Sequence, residues 1–251
     1  MSMLKRGSRG PEVEQLQTEL NRQLFPRPNL VVDGVFGALT AEAVRRFQQG
    51  QGLRVDGIVG NFTRLALGMP LPTTRMTHRV FLHFRSISLT DVSFNGILNH
   101  TMAVFAPHGI EIVFQSGMSL RLSPEEQARL STIDGSCAWE PTDPDYVELL
   151  QLSATPGAGI TVYLVDSFEG TTLGCGGHLP NRPACIVARR GSRYCTAHEI
   201  GHVLLGSTFR PVHMDRQRGN LMYPYDVERS LPSLTPAQVT AMKASRWCHA
   251  V

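Results

Sequence analysis

Cys195-Thr196-Ala197-His198-Glu199-Ile200-Gly201-His202-Val203-Leu204-Leu205-Gly206 is the most informative stretch of the 251-residue chain. His198 and His202 stand four residues apart, so a helix sets both imidazoles on one face, one turn apart. Two nitrogens so placed can bind a zinc ion, with Glu199 projecting beside it to take a proton from zinc-bound water. Zinc lowers the pKa of such a water to about 7, which makes a nucleophile at neutral pH. Gly206 is a natural helix stop, because the residue after the last turn often needs a left-handed backbone. An amphipathic helix with two surface histidines has the same spacing, so the neighbouring residues decide between the two readings.

After Gly206 a turn brings in His213, and Asn220-Leu221-Met222-Tyr223-Pro224-Tyr225 follows. Helix, third histidine and Leu-Met-Tyr-Pro together resemble the metzincin metallopeptidases, above all their matrixin branch. The resemblance implies His198, His202 and His213 as zinc ligands and Glu199 as general base and proton shuttle. It makes Met222 a hydrophobic floor beneath the metal, and it implies an edge strand whose backbone amides hold an extended substrate. Tyr223 and Tyr225 are candidates for positioning substrate or supporting the oxyanion, with structural packing as the alternative. One departure stands out. The family places glycine three residues after the second histidine and the third ligand three residues later. Here Leu205 takes the glycine position, a Ser or Thr takes the ligand position, and His213 lies five residues further on. Ser207-Thr208-Phe209-Arg210-Pro211 fills the gap, and a surface insertion of that size costs little. Asp215 is the alternative third ligand, since carboxylates also bind zinc, and His178 in a Gly-rich loop is a more distant one.

Residues 1–69 read as a separate module. Val32-Asp33-Gly34-Val35-Phe36-Gly37-Ala38-Leu39-Thr40 returns, 23 residues later, as Val55-Asp56-Gly57-Ile58-Val59-Gly60-Asn61-Phe62-Thr63. Asp-Gly opens a turn because glycine reaches positive φ freely, and the Thr is expected to begin or shortly precede a helix. Ala43, Val44 and Phe47 form one helical face, and Val13, Leu16 and Leu20 another, with Pro11 in a first turn. Three short helices joined by tight turns follow. From Leu4 to about Leu67 the block resembles the peptidoglycan-binding domain of bacterial cell-wall enzymes. That resemblance implies a wall-binding role, with Asp33, Gly34, Asp56 and Gly57 as candidate contacts, although such domains also serve only as folding segments. A Pro-rich linker is expected over 70–76.

Residues 77–251 alternate strand-like and helix-like runs, which indicates an α+β domain. Strands are expected at His78–Phe84, Ile110–Phe114, Ile160–Val165 and, as an edge strand, Ala184–Ala188. A helix is expected from Asp91 to Phe105, with loops near 134–144 and 168–183. Thr235-Pro236-Ala237-Gln238 marks a helix start, with Val239, Met242 and Trp247 packing onto the core. Among the five cysteines, Cys175 with Cys185 and Cys195 with Cys248 are candidate pairs. Residues 1–74 contain no cysteine, so a latency mechanism that blocks zinc with a propeptide thiolate is unavailable, and a targeting role for the first module is favoured. Glu140, Asp143 and Asp145 cluster in the Asp134–Asp145 segment, where a solvated loop is favoured over a calcium site.

At 42% hydrophobic and 18% charged residues the chain can build a core, so disorder is excluded. No apolar run approaches the roughly 20 residues of a membrane span. Of the 24 basic and 21 acidic residues, nine and six lie in residues 1–70, so the whole excess of +3 sits there. This is far from a nucleic-acid-binding stripe. The leading expectation is a monomeric bacterial zinc endopeptidase acting on peptide or protein substrates and targeted to peptidoglycan. An extracytoplasmic location follows from the domain resemblance, although no signal peptide is visible. The alternatives are a peptidoglycan hydrolase (amidase or cross-link endopeptidase) with the same zinc site, or a non-catalytic wall-binding or toxin-like protein with structural zinc.

Overall fold

A computed structural model describes residues 3–69, 75–152, 159–225 and 231–251. The chain divides into two compact units, Met1–Thr74 and Arg75–Val251. The expected linker falls largely on Pro70–Thr74, outside the described residues.

The first unit holds α1 (Pro11–Gln23), α2 (Ala38–Gly50) and α3 (Asn61–Ala66). Val13, Leu16, Leu20, Val44, Phe47 and Val59 are fully or almost fully buried in its core. Its two repeats are built around the same polar clamp. The Gln17 carboxamide donates to Asp33 Oδ1 at 2.8 Å and to the Val35 carbonyl at 3.1 Å. Its oxygen accepts from the amides of Asp33 and Gly34. Gln48 repeats these bonds with Asp56, Ile58 and Gly57. A buried carboxamide is tolerated only when its donors and acceptor are satisfied, and here the turn's own backbone satisfies them. Gly34 and Gly57 adopt φ of 68° and 71°, as the Asp-Gly turns require. Thr40 and Thr63 lie inside the first turns of α2 and α3, not before them, and accept the glutamine amides there.

The second unit is a mixed α+β structure. Its elements begin with β1 (His78–Ser86), α4 (Phe94–Phe105), β2 (Ile110–Ser119), α5 (Pro124–Leu130), β3 (Thr132–Ile133) and α6 (Pro144–Gln151). Then follow β4 (Ile160–Val165), β5 (Ser167–Phe168), β6 (Gly174–Cys175), β7 (Ala184–Ala188), α7 (Cys195–Leu205), α8 (Pro236–Ala244) and β8 (His249–Ala250). The main sheet runs β2-β1-β4-β7-β6, with β8 also paired to β1. β6 and β8 are antiparallel to their partners and the other pairs are parallel. Every residue of β4 and β7 is buried, as expected for central strands covered on both faces.

Four expectations are corrected. β7 is an interior strand; the edge beside it is β6, whose two residues are too few to give a strand pattern. α4 begins at Phe94 because Ser93 caps it, accepting from the Gly96 amide, while Asp91 pairs with Arg189. The segments expected to be loops hold Asp143, the N-cap of α6, and β6. The disulfide joins Cys137 to Cys175, leaving Cys185, Cys195 and Cys248 reduced and buried. Cys185 and Cys175 lie on neighbouring strands, but Cys175 stands opposite Ile186, so the proposed pair is out of register. α8 starts as expected: Thr235 and Gln238 exchange the two bonds of a capping box.

Candidate metal centre

α7 forms because a run of apolar residues, with Ala197, Ile200, Val203 and Leu204 buried, seats it on the sheet. Each such side chain contributes on the order of 1.5–3 kcal/mol when buried. The helix ends at Gly206, whose φ of 74° turns the chain and whose amide donates to the His202 carbonyl.

His198 Nδ1 lies 2.7 Å from the Leu221 carbonyl, so this nitrogen carries the proton and Nε2 is the one that offers a lone pair to a metal. That Nε2 lies 3.0 Å from His202 Nε2, which lies 3.1 Å from His213 Nε2. All three ligand atoms fall within 4.8 Å of one another. Tetrahedral zinc with bonds of about 2.0–2.1 Å would separate its nitrogens by about 3.3–3.4 Å, so the imidazoles fit the ion with small adjustments. Burial, then the neighbouring His198 and His213, holds the His202 pKa well below its usual value, which keeps it neutral. Burial also lowers that of His213, opposed by the charge of Asp215.

Among the described residues, His198, His202 and His213 form the only cluster of three or more potential ligand side chains. Asp215 stands beside His213 without joining it. His178 is turned away, its Nδ1 on the Leu179 carbonyl and its ring against Trp139. Asp145 pairs with Arg129, and Asp143 caps α6. The Cys195 thiol donates to the Leu173 carbonyl. Asp33, Gly34, Asp56 and Gly57 sit in the clamps of the first unit, where their polar groups hold the turns.

Met222 is fully buried under α7. A Cβ added to Gly201 would sit 2.7 Å from its sulfur, so only glycine admits the methionine at this point of the helix. The same turn aligns the histidines. The Leu221 carbonyl fixes His198, and the Met222 carbonyl accepts from the Met214 amide at 2.8 Å, next to His213. Asn220 holds the turn by accepting from the Met222 amide and pairing its carboxamide with Gln238 of α8. Tyr223 is largely buried and meets Tyr225 edge-on at 5.5 Å, whereas Tyr225 is 66% exposed.

Glu199 is buried at 5% exposure, and the edge strand closes over it. A Cβ on Gly174 would lie 2.5 Å from Glu199 Oε1, and one on Gly176 would lie 2.6 Å from His202 Cβ. This glycine strip packs backbone against carboxylate and imidazole, and sequence reasoning missed it because Gly-Cys-Gly-Gly reads as loop. Tyr146 was missed as well. Its hydroxyl donates to the Gly177 carbonyl at 2.9 Å, and burial, with Cys185 and Glu199 nearby, raises its pKa. The Cys137–Cys175 bond ties the loop carrying Trp139 to β6. Between that loop and α7 lies a cavity of about 380 Å³ reaching His202, Phe209 and Val212.

Residues 9–67 match the family model "Putative peptidoglycan binding domain". A stretch of 60 residues, 24% of this chain, is 43% identical to a zinc D-Ala-D-Ala carboxypeptidase of Streptomyces albus G and covers 24% of it. A stretch of 65 residues, 26% of this chain, is 40% identical to a "Probable N-acetylmuramoyl-L-alanine amidase" of Bacillus licheniformis and covers 18% of it. The chain therefore spans a quarter or less of these relatives. The similarity is the size of the first unit, so the chemistry of residues 75–251 rests on their own side chains.

Proposed function

We propose that the second unit is a metzincin-like, matrixin-type zinc endopeptidase that the first unit directs to bacterial cell wall. The observation that supports this most is the convergence of three imidazole nitrogens above a buried methionine, with Glu199 on the same helix. The chemistry a zinc ion supplies in such a site is Lewis acidity toward a carbonyl oxygen and a lowered water pKa. The chain's own groups do the rest. The Glu199 carboxylate accepts the proton of the attacking water and returns it to the leaving nitrogen. Its position is fixed by the backbone at Gly174, which limits its rotamers and shields it from bulk water. β6, as outer strand, aligns an extended substrate through its backbone. Tyr223 packs; Tyr225, being exposed, is the one free to reach substrate.

A second reading makes peptidoglycan itself the substrate, through the same site. It is favoured by the domain match of residues 9–67 and by relatives named for hydrolysis of wall peptides. Either reading places the protein outside the cytoplasm. The deciding assay is hydrolysis of an unstructured protein by the zinc-loaded chain, with and without chelator, beside Glu199→Ala. Absence of Glu199-dependent cleavage of any substrate sinks both readings. Muropeptide analysis of digested sacculi separates them, since an unchanged profile removes the second.

A further inference from the structure

The chain has two tryptophans, Trp139 and Trp247. Both line one groove of about 440 Å³ at the C-terminal end of α7. That groove and the cavity at His202 share Trp139, Leu205, Gly206 and Ser207, so the two adjoin and together line the surface from His202 to α8. Its walls are held in place. The Arg246 guanidinium lies 4.3 Å over the Trp247 ring, and its Nη1 donates to Asn181 at 2.9 Å. Trp139 is anchored by the Cys137–Cys175 bond on one side and by its carbonyl, which accepts from the His178 amide. Arg246 and Arg210 outnumber Glu140 among the charged groups of this surface, and burial keeps His178 neutral.

We propose that this groove is a saccharide subsite that holds the glycan of cell wall beside the metal centre. Trp139 and Trp247 pack on the apolar faces of the sugar rings, and Arg246 hydrogen-bonds their hydroxyl or carboxylate oxygens. A pyranose presents C–H groups on its faces and polar groups around its rim. An aromatic platform of Trp139 and the Trp247 face opposite Arg246, with that cation stacked behind it, matches both. A wall sugar that carries a carboxylate also matches the positive balance of this surface. The proposal rests on the reading of wall peptidoglycan as substrate. It adds that recognition includes sugar next to the scissile bond, so that the bond cleaved lies close to the glycan and not at a distant cross-link.

The first unit contains no tryptophan, so intrinsic fluorescence of the whole chain reports this groove and is silent to wall binding elsewhere. The chain is titrated with a disaccharide–stem-peptide fragment of peptidoglycan, with the free stem peptide and with an N-acetylglucosamine oligomer. A saturable fluorescence change is expected with both sugar-containing probes and none with the peptide alone. Arg246→Ala keeps both fluorophores and should weaken disaccharide–peptide binding about tenfold, the loss of one charge-assisted hydrogen bond. It should leave hydrolysis of an unglycosylated peptide at the parent rate. Trp247→Phe, a smaller change, should shrink the signal without unfolding. No saturable change with either sugar probe, or an equal response to the bare peptide, overturns the subsite. Failure of Glu199-dependent hydrolysis of every substrate with the fluorescence response intact overturns both hydrolase readings, and with them the placing of the scissile bond beside the glycan, and leaves the groove as a saccharide-binding site alone.

Discussion

Replacing Gly174 by alanine is the sharpest test of the way Glu199 is held. The added Cβ would stand 2.5 Å from Oε1, 2.7 Å from Cγ and 2.8 Å from Cδ, whereas ordinary contact begins at about 3.4 Å. Carboxylate or strand must therefore move by about 0.9 Å. β6 is bonded to β7 and carries Cys175, so much of the shift falls on the side chain. A reacting group displaced by about 1 Å loses on the order of 100-fold in rate, and overpacking costs about 1–3 kcal/mol of stability. Gly174→Ala should therefore lower kcat about 100-fold. Zinc content should stay at one per chain, because the added carbon meets only Glu199 among its closest neighbours. Hydrolysis rate, bound metal and thermal melting are read on the same preparation. Full activity in a folded, metal-loaded Gly174→Ala chain would refute the assignment of Glu199 as a base whose placement is set by β6.

Three further outcomes follow from the same geometry. The Cys137–Cys175 bond closes a separation of 38 residues, worth about 4 kcal/mol in the chain-entropy account. Cys137→Ser with Cys175→Ser should then melt about 8–16 °C lower in the second unit, and identical melting of oxidised and reduced parent chains would contradict this. The His202 pKa is held below 6.5 in the fold, so between that depressed value and 6.5 the unfolded chain binds more protons. Stability of the metal-free chain is thus full above about pH 6.5 and declines as pH falls toward the folded pKa. His202→Asn should flatten that dependence in urea titrations, and an unaltered slope would exclude His202 as its source. Gln48→Ala strands the amides of Asp56 and Gly57, which should cost the first unit about 1–3 kcal/mol, readable as a lower unfolding midpoint.

What could be read from the chain follows from the range of the interactions involved. α7 was legible because its signals are local: two histidines four apart, an apolar face and a terminal glycine, all within twelve residues. α8 was legible for the same reason, its capping box spanning only Thr235 to Gln238. His213 was harder, because Ser207–Pro211 changes the loop length and sequence does not say where a loop returns. Its place became clear only through the Met214–Met222 backbone bond. The disulfide was missed because sheet register takes Cys185 out of line with Cys175, while the true partner, Cys137, arrives on a loop 38 residues away. Gly174 and Gly176 gave no signal because the lack of a side chain has meaning only when the opposing group is known. The first unit shows the limit most plainly. Its Asp-Gly repeats recur at 23 residues and were visible, yet the glutamines at the centre of both clamps were not. Gln17 lies 16 residues before Asp33, whereas Gln48 lies only 8 before Asp56. The two clamps are therefore equal in space and unequal along the chain, and a repeat of the second kind of distance cannot be found by aligning the first.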